Sequence, residues 1–133
     1  MRFARLLLLA VLALPALACS DLGELMSLQQ ELTHEFNTGA VNVNTNNAVH
    51  LTVIFSNSPA AELPDSDRAA FARRVAEYVR DHYPGYERLQ TIRIGFAKVS
   101  GAGAVKFTSS RAPYRFTPRD LGPPRSAALE SAN

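Results

Sequence analysis

The sequence predicts an α+β domain of element order α-β-β-α-β-β, with two helices packed on one face of a four-stranded, mainly antiparallel sheet. Three observations carry that prediction. Apolar residues recur every three or four positions in two segments, alternate with polar ones in four others, and turn residues mark the joins. A chain of 133 residues has room for one core plus appendages.

The first helix is read over residues 22–37, where Leu22, Leu25, Leu28, Leu32 and Phe36 form one stripe. Asp21 and Glu24 make a capping-box pair before it, and Asn37 and Gly39 close it. In "AVNVNTNNAVHLTVIFSNS", Val41 and Val43, then Val49, Leu51, Val53 and Phe55, alternate with Asn42, Asn44, His50 and Thr52. That pattern predicts a β-hairpin turning at "TNN". A register pairing Val43 with Val49 and Val41 with Leu51 sets Asn42 opposite His50.

A second helix follows the loop "SNSPAAELPDSD", capped by Asp65 or Ser66. Phe71, Val75, Tyr78, Val79 and His82 line its apolar stripe, while Arg73, Arg74, Glu77, Arg80 and Asp81 fall elsewhere. Pro84 and Gly85 end it. In the second hairpin Ile92, Ile94 and Phe96 alternate with Arg93 and Gly95, "SGAG" turns the chain, and Val105 and Phe107 return around Lys106. Closing that loop at Val99 and Ala104 puts Phe96 opposite Phe107. Tyr114 and Phe116 extend the last strand beyond a kink at Pro113. Residues 118–133 carry little apolar content and are read as a mobile tail.

Residues 1–18 are a separate case. Arg2 and Arg5 precede the apolar run "LLLLAVLALPALA", which ends in small residues before Cys19, the order of a secretory signal. The run falls short of the roughly 20 apolar residues of a transmembrane helix. The chain therefore divides into a signal (1–18), one α+β domain (19–117) and a tail (118–133). Without Arg2 and Arg5 the charge balances at 12 basic against 12 acidic residues, so the basic precursor gives no reason to expect a nucleic-acid partner. The charges are blocked along the chain: seven acidic residues precede Arg68, and from there on 12 basic residues face five acidic ones. Either the blocks attract each other in the fold or they polarise its surface toward an anionic partner.

The segment "ALPALACS" resembles a bacterial lipoprotein signal, in which the terminal cysteine is diacylated and becomes the mature N-terminus. The resemblance implies lipidation of Cys19, although Ala16 stands where such motifs usually carry leucine. Ala16-Leu17-Ala18 also satisfies the A-x-A cleavage rule, leaving open ordinary cleavage with a free or intermolecular thiol. A diacylglyceryl anchor would hold the domain on a membrane, since two acyl chains bind stably where one does not. By the same resemblance Ser20 after the cysteine permits sorting to an outer membrane, where there is one. The element order is in addition similar to that of the lipid-interacting BON domains of envelope proteins.

No catalytic motif is present: no G-x-S-x-G elbow, P-loop or dinucleotide fingerprint, and the "HEF" at His34 lacks the second histidine of a zinc protease. His34, His50 and His82 give no metal-binding spacing, and no cofactor is expected. Asp65 and Asp67 are explained by the helix start they precede. One constellation remains, on the sheet face away from the helices: Asn42, His50, Arg93 and Lys106, with Asn44 and Thr52 beside them. Basic donors among amides there would suit an anionic lipid headgroup or an acidic glycan; solvated strand residues would look the same. The sequence thus leads us to expect an exported, membrane-anchored envelope protein with a non-catalytic binding or scaffolding domain and an envelope protein or anionic ligand as partner. A soluble periplasmic or secreted module binding an anionic ligand is the alternative, and an exported hydrolase the remaining one.

Overall fold

The computed structural model describes residues 15–37, 40–100, 107–110 and 112–126. Helix α1 spans Pro15–Phe36, strands β1 and β2 span Ala40–Asn46 and His50–Ser56, and helix α2 spans Asp65–His82. Strands β3 (Thr91–Ser100), β4 (Phe107–Ser110) and β5 (Tyr114–Phe116) follow, and a short helix α3, Pro118–Leu121, closes the described chain. The α-β-β-α-β-β order is present, followed by the extra turn of α3.

The strands lie in chain order, β1-β2-β3-β4, and β5 also pairs with β3. β4 takes Ala97–Ser100 of β3 and β5 takes Ile92–Ile94, so both lie against β3 as halves of one broken fourth strand. The break falls before Pro113, which has no N–H to give a ladder. The sheet is mixed: β2 and β3 run parallel across the α2 crossover, and the other pairs are antiparallel.

Two registers differ from expectation. The first hairpin pairs Val43 with Val53 and Val41 with Phe55, so Asn42 faces Ile54 and His50 faces Asn46. Asn47, Ala48 and Val49 connect the paired Asn46 and His50; Asn47 and Ala48 both have positive φ, 53° and 58°, the Val49 N–H donates to the Asn46 carbonyl at 3.3 Å, and β1 runs on to Asn46. The shift is an even number of residues, so the side chains keep their faces. In the second hairpin Phe107 lies opposite Ser100 rather than Phe96.

The core lies between the helices and one sheet face. Leu51, Val53, Phe55, Ile92, Ile94 and Phe96 point into it from the central strands, Leu28 and Leu32 from α1, and Phe71, Val75 and Val79 from α2. Phe55 stacks on Phe96 at 5.9 Å and meets Phe36 and Phe71 edge-on. Such offset and edge contacts add to the transfer free energy of the buried rings.

Helix boundaries depart from the sequence reading in three places. α1 starts at Pro15, seven residues early, because Ala16, Leu17 and Ala18 are good helix formers and proline suits a first turn. Asp21 and Glu24 therefore lie inside the helix, where both approach the Arg88 guanidinium, at 3.5 and 3.9 Å. α2 has Pro64 at its N-cap and no side-chain cap; Asp65 and Asp67 occupy its first turn, where carboxylates favour the helix dipole. The segment after 117, expected to be a mobile tail, carries α3 with a Thr117/Asp120 capping box and a buried Leu121. Residues 127–133 of that tail lie outside the described residues.

Candidate functional site

The sheet face away from the helices follows from strand alternation. Reading across paired residues, one row runs Asn44, Thr52, Arg93, Arg115 and the next runs Asn46, His50, Thr91. A third runs Asn42, Ile54, Gly95. Of the residues expected there, His50 and Arg93 sit on adjacent strands one row apart. Asn42 lies two strands from Arg93 and in another row, its Oδ1 accepting a hydrogen bond from Asn44 Nδ2 at 3.3 Å. Lys106 lies outside the described residues.

Arg115 belongs to this face and was missed by the sequence reading. Its signal was there in Tyr114-Arg115-Phe116, where apolar residues flank one basic residue at strand spacing. Arg93 and Arg115 are directly paired across β3 and β5, Arg93 half-buried and Arg115 exposed. Neither makes a hydrogen bond or ion pair among the described residues. In the next row His50 Nδ1 lies 2.8 Å from Thr91 Oγ1. The face is not wholly polar: Ile54 lies across Gly95, where a Cβ would come within 2.7 Å of Ile54 Cδ1. Glycine lets the isoleucine lie down on the sheet.

The remaining basic residues of the second half show what became of the charge blocks. Arg68 pairs with Asp65, Arg73 with Glu77, Arg88 with Asp21 and Glu24, and Arg80 and Arg125 with Asp81. Only the last two sets include long-range partners, and only Arg68–Asp65 and the Arg88 contacts join the acidic block to the basic one.

Arg68 and Arg80 are buried; Arg68 lies three residues before Phe71 on the apolar face of α2, whereas the position of Arg80 off the stripe did not foretell its burial. Arg68 donates to the Ala61 and Leu63 carbonyls at 3.2 and 3.0 Å and to the Tyr114 hydroxyl at 3.1 Å, fastening the loop before α2 to β5. The Tyr114 contact, followed by Asp65, raises the Arg68 pKa above its ordinary value despite desolvation. Arg80 grips Asp81 through two bonds of 2.9 and 3.1 Å and donates to the Leu121 carbonyl at 2.7 Å. Arg80 and then the Arg125 backbone N–H hold the Asp81 carboxyl below the usual range against desolvation. These cations bind the chain to itself.

A second concavity, a cleft of about 420 Å³ between the ends of α1 and α2, is lined by Glu35, Arg74, Glu77, Tyr78 and His82 among others. Tyr78 and His82 stack at 3.9 Å, and His82 Nδ1 lies 2.9 Å from the Tyr78 carbonyl oxygen. The Tyr78 hydroxyl donates to Glu31 Oε2 at 3.3 Å, and burial, then Glu31, raises its pKa. Tyr83 and Tyr86, just after α2, are core residues, with the Tyr86 hydroxyl donating to the Gly122 carbonyl at 2.9 Å. Among the described residues no three His, Cys, Asp or Glu side chains converge as metal ligands. No described helix is long and apolar enough to cross a membrane. The chain matches no protein-family model, no curated protein and no solved structure.

Proposed function

We propose that the chain is an exported lipoprotein, tethered to an envelope membrane through acylated Cys19, whose folded domain binds or scaffolds without catalysis. The observation that carries this reading is the place of the chain's only cysteine. Cys19 stands at the end of the signal pattern and two residues before Asp21, the first residue with a described contact to the rest of the domain, through Arg88. Cleavage before Cys19 would thus leave the domain almost no linker to its anchor.

The geometry favours binding over chemistry. His50 and Thr91 are a hydroxyl–imidazole pair, but they lie on an open sheet surface, and no carboxylate is hydrogen-bonded to the imidazole among the described residues. A hydrolytic site needs that orienting group and a cleft that excludes water.

The tether is tested by growing cells with a fatty-acid probe and comparing wild type with Cys19→Ala. The expected outcome is label on the wild type, none on the variant, and the variant released from the membrane fraction. An unlabelled wild type, or a variant that stays on the membrane, contradicts the reading.

A further inference from the structure

Like charges directly opposite each other on antiparallel strands repel, with their Cβ atoms only about 5 Å apart. Arg93 and Arg115 are placed that way. The described strands contain no aspartate or glutamate, so no neighbour on the sheet neutralises them. Arg68, Arg73, Arg80, Arg88 and Arg125 have carboxylate partners, whereas Arg74, Arg93, Arg115 and Arg119 make no ion pair among the described residues; of these four, only Arg93 and Arg115 face each other across paired strands.

We propose that the row Asn44, Thr52, Arg93, Arg115 is a binding site for a phosphate ester. Each guanidinium offers a planar fork of N–H donors that engages two oxygens at once. Two forks side by side can be served by a tetrahedral oxyanion, whereas a carboxylate has only two oxygens for both. A phosphate monoester carries about two negative charges near neutrality, matching the arginine pair. Thr52 and Asn44 continue the row with a hydroxyl and an amide, which suit the alcohol part of the ester. The inference rests on the open sheet face being the binding surface, and it does not depend on acylation of Cys19.

The test titrates the full chain with inorganic phosphate and with glycerol 3-phosphate while following the arginine Nε–H resonances by NMR. A parallel arm measures binding to phosphatidylcholine vesicles with and without phosphatidic acid. The Arg93 and Arg115 resonances should shift with soluble phosphates, or the chain should select the phosphatidic acid vesicles; the first assigns the site to a soluble ester and the second to a lipid. In either arm Arg93→Gln should weaken binding about tenfold, since a hydrogen bond to a charged group is worth that order. The double variant Arg93→Gln/Arg115→Gln should abolish it, and the two lysine replacements should restore only part. Arg115 is exposed and Arg93 half-buried, and unchanged amide spectra elsewhere would confirm that the variants fold. Three results overturn the proposal: no response in either arm, equal binding by the double variant, or acetate binding as tightly as phosphate. Loss of the fatty-acid label at Cys19 would sink the tether and leave this result standing.

Discussion

Asp81 shows how a single residue ties the end of the chain to the domain. Its carboxylate takes both Arg80 bonds, accepts the Arg125 backbone N–H at 3.0 Å, and lies 3.6 Å from Arg125 Nε. A carboxyl with a lowered folded pKa contributes stability that is present above its unfolded value, near 3.8, and lost as the pH falls through the folded value. Asp120, lowered by the Thr117 backbone N–H and hydroxyl, has the same sign. Urea denaturation followed from neutral pH into acid should therefore show stability falling below about pH 4, where carboxylates begin to protonate. Asp81→Asn should be less stable at neutral pH and fall less steeply in acid. A variant with the wild-type slope would remove Asp81 from this account.

Arg115 belongs to the same scale and shows a limit of reading by element. The sequence pattern extended the last strand through Tyr114 and Phe116, as observed. It did not say which residue of β3 faces Arg115, because a kinked connection carries no register of its own. The arginine pair becomes visible only once Ile92 is matched to Phe116 and Ile94 to Tyr114.

At the scale of elements, periodicity located both long helices, the strands β1, β2, β3 and β5, and the inward faces of these strands. Leu28 and Leu32 of the first helix stripe, Phe71, Val75 and Val79 of the second and the alternation of Leu51, Val53 and Phe55 are direct images of burial, whereas Leu22 at the start of the first stripe and His82 at the end of the second are exposed. Registers and ends were less legible, since they depend on turn geometry and tertiary contacts. The hairpin turn sits at Asn47-Ala48 rather than "TNN", and nothing local announces an alanine at φ 58°. Leu121 leaves no local signal, since one leucine among prolines and glycine does not make a stripe; Arg80 and Tyr86 hold its segment by backbone carbonyls.

The same turn yields a sharp expectation. Left-handed backbone costs a residue with a Cβ about 1 kcal/mol relative to glycine, and Asn-Gly is the favoured pair where two successive turn residues have positive φ. Ala48→Gly should raise unfolding stability by about 0.5–1 kcal/mol in a chemical denaturation series. A destabilised variant would mean that the turn has a different conformation.

At the scale of the whole molecule, the contact of Asp21 and Glu24 with Arg88 fixes which end of the domain adjoins Cys19. Arg88 lies three residues before β3, and the β2–β3 register places the start of β2 at that same end. Arg93 is the third residue of β3, so the arginine row lies near the end of the open face that adjoins the start of α1's contacts with the domain. In the proposed arrangement the anchor and the oxyanion site therefore share one end of the domain.

The tether is the central claim, and the intact mass of the protein extracted from a membrane fraction tests it most directly. The account predicts a chain beginning at Cys19 and carrying the added mass of a diacylglyceryl group. An unmodified chain beginning at Cys19, or any chain that still carries residues 1–18, would contradict it.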